Sequence, residues 1–329
     1  MKSWREELLA DLAKSGEKYS KGEDLALRFG CSRAAIWKKI TVLRDEGHAI
    51  EASTNRGYRM RRSDAEFERR LREELELNHL KDTFRVFVTD STPSTNLLAR
   101  EAGMRGEEDL SVYVALQQTS GRGRRGRTWI SNTDDGLWFS ILIRPDAETR
   151  MASSLTLLFG LCIFEAFMDV CPIPLGIKWP NDIISLRNGK KLCGILSETS
   201  MEENRVSYAV VGCGINVSQE SFPEEIKDVA TSVRLEGAQV SKAALLCAIL
   251  RQIALRYPEF RKNPGAFLPE YRANCATLGR PVRIESFDPQ EGIALDISQA
   301  GDLMVRQSDG TIVTCTSGEV SVRGMLGYL

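Results

Sequence analysis

The chain has 329 residues, 42% of them apolar and 27% charged, with a net charge of −1. That length allows two or three domains, the composition is ordinary for a globular protein, and near-neutrality excludes a whole-protein field that would attract nucleic acid. No apolar run reaches membrane-spanning length, the start carries no apolar signal core, and the eight cysteines form no Cys-x-x-Cys pair, which together argue for a cytoplasmic protein with reduced, buried thiols and no zinc site.

Residues 1–62 differ from the rest, with 14 Lys/Arg against 9 Asp/Glu, a net of about +5. The pattern predicts a short helix over Arg5–Ala13. A capping box at Ser20-Lys-Gly-Glu23 should open a second helix through Leu25, Leu27 and Phe29. After a tight turn at Gly30-Cys31, Ser32 should cap a third helix, Arg33–Asp45, ended by Gly47. Ile36, Ile40 and Leu43 share one face of it; Arg33, Trp37 and Arg44 share another, flanked by Lys38 and Thr41. Ala49-Ile50 and Tyr58–Met60 flank a small hairpin carrying Arg56. Helix, helix, tight turn, helix and basic wing describe a winged helix-turn-helix. In such a unit Ser32, Arg33, Lys38, Arg44 and Arg56 would meet DNA. The alternative is a small helical protein-interaction domain with incidental charge.

Residues 63–81 read as a connecting helix, with Phe67, Leu71 and Leu75 at four-residue spacing and a solvated Glu/Arg face. Residues 82–274 alternate strand-like and helix-like runs. Strands are expected at Phe84–Thr89, Ser111–Leu116, Leu137–Ile143, Gly176–Trp179, Ile183–Leu186, Leu192–Glu198 and Val206–Val211. Helices are expected at Ser94–Glu101, Ala152–Val170, Lys242–Arg256 and Pro264–Asn274. This implies an α+β fold, a mixed sheet with helices on one face. Residues 275–329 hold only short strands, Val282–Glu285, Ile293–Ile297, Leu303–Gln307, Ile312–Cys315 and Val320–Val322, and read as a small β-barrel.

The middle segment carries the chemistry. Ser120-Gly-Arg-Gly-Arg-Arg-Gly-Arg-Thr-Trp129 packs three glycines and four arginines into ten residues between two apolar runs. Glycines there admit φ > 0 and close approach of a ligand, and arginines suit phosphate and carboxylate oxygens. The local reading is open between an anion-binding loop and a nonspecific basic loop. Four further motifs are each ambiguous alone. Ser94-Thr-Asn96 is either a helix cap or a polar ligand site. Lys178-Trp-Pro-Asn-Asp182 is turn chemistry or a site amide and carboxylate. Lys190 and Lys191 stand at the entrance of a buried strand that ends in Ser197-Glu198. Gly212-Cys-Gly-Ile-Asn216 is a bulge or a place where a ligand meets backbone.

In this order, the five motifs resemble those of biotin protein ligases: Ser94-Thr95-Asn96, Gln118 through Trp129, Lys178 through Asp182, Lys191 through Leu196, and Gly212 through Asn216. With the winged helix before them and the barrel after, the chain resembles the three-domain form that is also a repressor of biotin genes. The resemblance implies a class II synthetase-like core followed by an SH3-like barrel. It implies that biotin is activated by ATP, with Mg²⁺, to biotinyl-5′-adenylate, and that biotin is then passed to a lysine of a biotin carboxyl carrier protein. It further implies operator DNA as a partner and a homodimer favoured by the adenylate. Carried over residue by residue, Arg124, Lys191 and Asp182 would act in catalysis. Ser94, Thr95, Asn96, Gln118, Gly121, Arg122, Gly123, Arg124, Lys191 and Gly194 would hold biotin. Arg124, Trp129, Asn181, Lys191 and Asn216 would hold ATP. No residue is assigned to a metal, and His48 and His79 are poorly placed to act as bases. The Gly/Arg loop is expected to be mobile when empty and ordered by the adenylate. Three other readings stay open: a ligase whose first domain only tunes catalysis, a DNA-binding biotin sensor without catalysis, and a lipoate ligase.

Overall fold

The computed structural model describes residues 4–14, 19–45, 50–53, 56–60, 62–145, 147–148, 151–202, 205–285, 290–316 and 321–324. The expectations on Gly47, His48, Ala49, the wing residues Thr54 and Asn55, and Val320 lie outside them.

The first unit contains α1 (Trp4–Lys14), α2 (Gly22–Arg28), α3 (Arg33–Asp45), β1 (Ile50–Ser53) and β2 (Gly57–Met60). α3 forms where expected because Ile36, Ile40 and Leu43 recur once per turn and bury against Leu8, Leu12 and Leu25. Ser32 Oγ accepts the Ala35 N–H at 3.2 Å, which is the cap. The capping box at Ser20 does not form: Lys21 holds that position with no side-chain bond. Ser20 instead exchanges backbone hydrogen bonds with Tyr58, at 2.7 and 2.9 Å, and so fastens the hairpin β1–β2 to the start of α2. Two backbone bonds outweigh the one a cap would supply. Any Cβ at Gly57 would lie 2.1 Å from Ser20 O, so the crossing needs glycine.

α4 (Arg62–Leu77) is the expected connecting helix. Phe67, Leu71 and Leu75 are buried, while Arg69–Glu73 pairs one turn apart at 2.6 Å on the solvated side, worth about 0.3–0.5 kcal/mol, and Arg72 pairs at 2.6 Å with the buried Glu68.

The central sheet is built from β3 (Arg85–Thr92), β4 (Ser111–Gln118), β5 (Gly136–Ile143), β6 (Ala147–Glu148), β7 (Leu175–Lys178), β8 (Asp182–Ser185), β9 (Lys191–Glu202) and β10 (Arg205–Asn216). Its order is β3-β4-β5-β10-β9-β8-β7, with β6 on β10. Only β3–β4 is parallel. β9 and β10 run well past the expected ends, because the antiparallel pair keeps its register through Gly194 and Gly212-Cys-Gly214. The glycine motif is therefore a strand, not a bulge.

The helices do not all lie on one face. α6 (Met151–Val170) and α7 (Lys242–Lys262) cover the side carrying Val112, Ile141 and Val211. α5 (Thr95–Met104) covers the other, where Ala99 and Ala102 meet Tyr113, Leu142 and Val210. Strand alternation divides these residues between the two faces, and both faces of this sheet are apolar enough to need a cover. α6 is apolar almost all round because it is enclosed by the sheet and α7. Its Glu165 is answered by Arg256 of α7, Nε to Oε2 at 2.7 Å. Among the described residues no helix is long and apolar enough to cross a membrane.

After α8 (Leu268–Ala273), β11 (Pro281–Glu285), β12 (Gln290–Ile297), β13 (Leu303–Gln307), β14 (Ile312–Cys315) and β15 (Ser321–Gly324) form a five-stranded antiparallel sheet, ordered β14-β13-β12-β11-β15. Val282, Ile284, Ala294, Ile297 and Leu303 belong to the same buried cluster as the central sheet. The link runs through Trp179. Its backbone N–H donates to Thr277 Oγ1 at 2.9 Å and its indole N–H to Gly301 O at 3.0 Å. Trp179→Phe, which keeps most of the volume and removes the indole donor, should cost about 1–2 kcal/mol, and Trp179→Ala about 3–5 kcal/mol, in denaturant unfolding.

Candidate functional site

A cleft of about 460 Å³ opens on the α5 face of the sheet. Its lining includes Ser94, Thr95, Asn96, Gln118, Arg122, Gly123, Arg124, Trp129, Asn181, Lys191 and Gly194, together with Gly212 and Gly214. Residues from all five motifs thus converge on one space. Gly121, Asp182 and Asn216 are not in the lining and act from behind it.

The floor is bare backbone. On β10 the two glycines point the same way, and the register sets Gly214 opposite Gly194. A Cβ at Gly212 would lie 1.9 Å from Asn96 Oδ1, at Gly214 2.5 Å from Trp129 Nε1, and at Gly194 2.9 Å from Lys191 Nζ. These glycines are required because Asn96, Trp129 and Lys191 occupy the space a side chain would need.

One end of the cleft is lined by neutral, hydrogen-bonded side chains, with the Glu198 carboxylate behind them. Gln118 Oε1 accepts from Thr95 N at 2.9 Å and Thr95 Oγ1 at 3.1 Å, and Gln118 Nε2 donates to Ser131 Oγ at 3.1 Å. Ser140 Oγ lies 2.7 Å from Thr95 Oγ1 and 2.6 Å from Asn96 Oδ1, and Asn96 Nδ2 donates to Glu198 at 2.6 Å. Ser94 stands at the N-cap position of α5 without making a side-chain cap, so the ligand-site reading of Ser94-Thr95-Asn96 is the one the geometry fits. Ser131, Ser140 and Glu198 were not singled out from sequence. Ser140 left a signal, being the lone hydroxyl in the otherwise apolar run Leu137–Ile143.

The other end is cationic. Arg124 donates to Asn181 Oδ1 at 3.0 Å, while Asn181 Nδ2 donates to Ile195 O. Burial pulls the Arg124 guanidinium below its usual pKa, and the charge of Asp182 opposes that shift. Lys191 Nζ pairs with Asp182 Oδ1 at 2.6 Å and sits 5.1 Å from the Trp129 ring centre. Fixed in this way, the two cations can receive an anion without reorganising. Cys213 also lines the cleft, but burial raises its thiol well above the ordinary range, which disfavours a thiolate nucleophile.

The Gly/Arg loop is a folded turn, closed by Gly123 N to Arg127 O at 2.7 Å and Trp129 N to Gly121 O at 3.0 Å. Of its three glycines only Gly126 has positive φ, and Arg125 shares that conformation. Gly121 serves close packing, since its Cβ would lie 2.4 Å from Trp129 O. Arg122 is exposed at the mouth, and Arg125 and Arg127 face solvent.

Asn216 is buried and donates to Thr231 O at 3.0 Å. It shapes the loop after β10, which in turn brackets Lys191: Lys191 N donates to Val229 O, and Thr231 N to Lys191 O. Glu236 holds this loop, accepting from Thr231 Oγ1 and Ser185 Oγ at 2.7 Å and from Asn188 Nδ2 at 2.9 Å. Burial pushes its carboxyl up, but these three hydrogen bonds and the Arg187 charge hold it below its ordinary value of 4.5. A depressed folded-state pKa adds stability above the unfolded value, and that stability is lost as pH falls through the folded value.

In the first unit, Arg33, Trp37, Lys38 and Arg44 are exposed on α3 and Arg56 is exposed beside the hairpin. Trp37 is 59% exposed. Arg56 lies 5.9 Å from the Tyr19 ring centre, and the Ser32 hydroxyl is committed to its cap.

Comparison with known proteins agrees with this geometry. Residues 88–216 match the biotin/lipoate A/B protein ligase family, residues 5–59 an HTH domain, and residues 277–323 the biotin protein ligase C-terminal domain. The chain is 33% identical over 318 residues to the bifunctional ligase/repressor BirA of Bacillus subtilis, covering 93% of this chain and 95% of that one. It is 30% identical over 327 residues to the protein of the same name in Escherichia coli, covering 96% of each. The biotin protein ligase of Aquifex aeolicus, solved in complex with biotin and ATP, superposes with a TM-score of 0.63 at 30% identity, covering 73% of this chain and 99% of that one.

Three substitutions test this arrangement. Gly212→Ala should displace Asn96 and destabilise the protein by about 1–3 kcal/mol. Gly123→Ala, whose Cβ would have no neighbour nearer than 3.5 Å, should leave the melting temperature nearly unchanged. In urea titrations across pH, the stability advantage of wild type over Glu236→Gln should be full at neutral pH and shrink as pH falls below about 4.5.

Proposed function

The chain belongs to the biotin protein ligases, in the form that joins the ligase to a helix-turn-helix repressor domain, and from that premise we propose how its residues divide the work. It is a biotin–[acetyl-CoA-carboxylase] ligase with a DNA-binding domain, and biotin and ATP are its substrates. The observation that carries the assignment of roles is the polarity of the cleft, neutral at one end and cationic at the other. Biotin is likewise neutral at its ureido ring and anionic at its carboxylate.

The ring lies on Ser94, Thr95, Asn96 and Gln118 over Gly194 and Gly212, and the carboxylate points toward Arg124 and Lys191. A carboxylate oxygen attacks the α-phosphorus of ATP, a C–O–P anhydride forms, and the bond to the β-phosphate oxygen breaks, releasing pyrophosphate. Two anions must meet, so Arg124 and Lys191 contribute by position and charge. Asn181 and Asp182 hold these two cations, Trp129 offers its ring to the adenylate, and Asn216 supports the loop behind Lys191. A lysine amine of the carrier protein then attacks the acyl carbon, and AMP leaves. Arg122 and Gly123 close the mouth over the anhydride, and ordering of this loop by the adenylate is part of the proposal. Among the described residues no group of three or more His, Cys, Asp or Glu could hold a metal, and the nearby Asp182 already pairs with Lys191. Mg²⁺ is proposed to accompany the ATP phosphates.

The exposed face of α3 and Arg56 would meet operator DNA, and dimerisation favoured by biotinyl-5′-adenylate would present two such faces to two half-sites. Use of ATP and eight free cysteines support a reducing, cytoplasmic setting.

Lys191→Ala should fold but lose biotin-dependent exchange of pyrophosphate into ATP by about 30- to 1000-fold, the equivalent of about 2–4 kcal/mol. Near-normal exchange by this variant would remove Lys191 from the mechanism, and exchange supported by lipoate in wild type would change the substrate.

A further inference from the structure

Glu198 stands behind the neutral side chains of the cleft. It lies partly buried on the cleft side of β9, and among the described residues no lysine, arginine or histidine pairs with it; its one hydrogen bond comes from Asn96 Nδ2, at 2.6 Å. A partly desolvated carboxylate without a counter-charge is costly, so its place asks for a reason.

The reason lies in what a carboxylate does to a hydrogen-bond network. It only accepts, so the amide nitrogen of Asn96 must face it and the amide oxygen must face away. The Leu196 carbonyl favours the same orientation, but at 3.4 Å it does so weakly. The outward oxygen of Asn96 lies against the bare backbone of Gly212 and 2.6 Å from Ser140 Oγ. That oxygen also only accepts, so it takes the single proton of Ser140. Thr95 Oγ1, 2.7 Å from Ser140, then receives no proton from it. The proton of Thr95 is taken by Ser140 Oγ or by Gln118 Oε1. The Thr95 oxygen is left as an acceptor at the neutral end of the cleft.

We propose that Glu198 is a positioning residue that, through Asn96 and Ser140, keeps Thr95 as a hydrogen-bond acceptor for an N–H of the substrate. This rests on the ligase reading above, and the group it suits is the ureido N–H of biotin. With Glu198 replaced by an apolar residue, the Asn96 amide can turn, Ser140 can give its proton to Thr95, and one of the two Thr95 lone pairs that would meet a substrate N–H is taken, which weakens the acceptor.

The test is a double-mutant cycle in the full-length protein, read by biotin-dependent pyrophosphate exchange and by calorimetric binding of biotin. Glu198→Leu should raise the KM and Kd for biotin about tenfold, with kcat and the KM for ATP within about threefold. Glu198→Gln, which still accepts from Asn96, should restore biotin affinity to within about threefold of wild type. In a Thr95→Val background, where no acceptor remains to be oriented, Glu198→Leu should change biotin affinity less than twofold. Additive losses in the two backgrounds, or equal losses for Leu and Gln, would overturn the proposal, because they would mean that charge or packing alone is at work. Should Glu198→Leu fail to fold by circular dichroism, Glu198→Ala takes its place in the same cycle. Wild-type protein that neither binds biotin nor exchanges pyrophosphate with it would overturn the ligase reading and this inference together.

Discussion

The site depends on the register of one strand pair. β9 and β10 run antiparallel for almost their whole length and set Gly194 opposite Gly214 and Leu196 opposite Gly212. Alternation along each strand sends these glycines to one face and Ile195, Cys213 and Ile215 to the buried core beneath. A shift of one residue would bury the glycines and push the core side chains into the cleft. The apolar packing under α6 and α7 thus fixes the register that keeps the floor empty above, and core and site are two sides of the same two strands.

The residues singled out from sequence that the fold brings together in the cleft share a property. Ser94-Thr95-Asn96, the Gly/Arg loop, Asn181 and Lys191 all lie where the chain leaves or enters a strand or helix, and unusual local composition marks such places. The parts missed act across the sheet. Ser140 meets Asn96 from 44 residues away, and Asn96 meets Glu198 across 102. No local pattern reports such contacts. The misread elements fail for a related reason. Ser20 has the letters of a capping box, but the backbone of Tyr58, distant in sequence, takes its place in the competition. The glycine motif at 212–214 looks like a break until its partner strand is present to carry it. The helix distribution was misjudged because Tyr113, Leu142 and Val210 alternate with core residues of the opposite face, and only the finished sheet shows that both faces are covered.

The motif Lys178-Trp-Pro-Asn-Asp182 divides its work between the cleft and the fold behind it. Asn181 and Asp182 hold the two cations of the cleft. Trp179, buried in the same turn, is bonded to Thr277 and Gly301 beside the last sheet. One hairpin therefore sets the anion-binding charges and anchors the C-terminal strands. Disturbance of that anchoring is transmitted to Arg124 and Lys191 through a single rigid turn. On the other flank the Glu236 clamp holds the loop that brackets Lys191, so the lysine is restrained from two sides by groups that never meet the substrate.

The first unit is organised differently. Its buried residues, Leu8 to Ile50, form a cluster separate from the one that runs from Phe67 of α4 to Cys315 of the last sheet. Two separate cores need not melt together, so the first unit can unfold while the larger core stays folded. The same separation bears on regulation. For biotin to alter DNA binding, occupancy of the cleft must change the free energy of the recognition face by about 1–3 kcal/mol. A shared apolar core would transmit such a change through packing, and here the described residues provide none. Among the described residues, the buried apolar side chains of α4, Phe67, Leu71 and Leu75, belong to the larger core. The dimerisation proposed above would make operator binding depend on the adenylate without a shared core, since each first unit would then gain from the placement of the other.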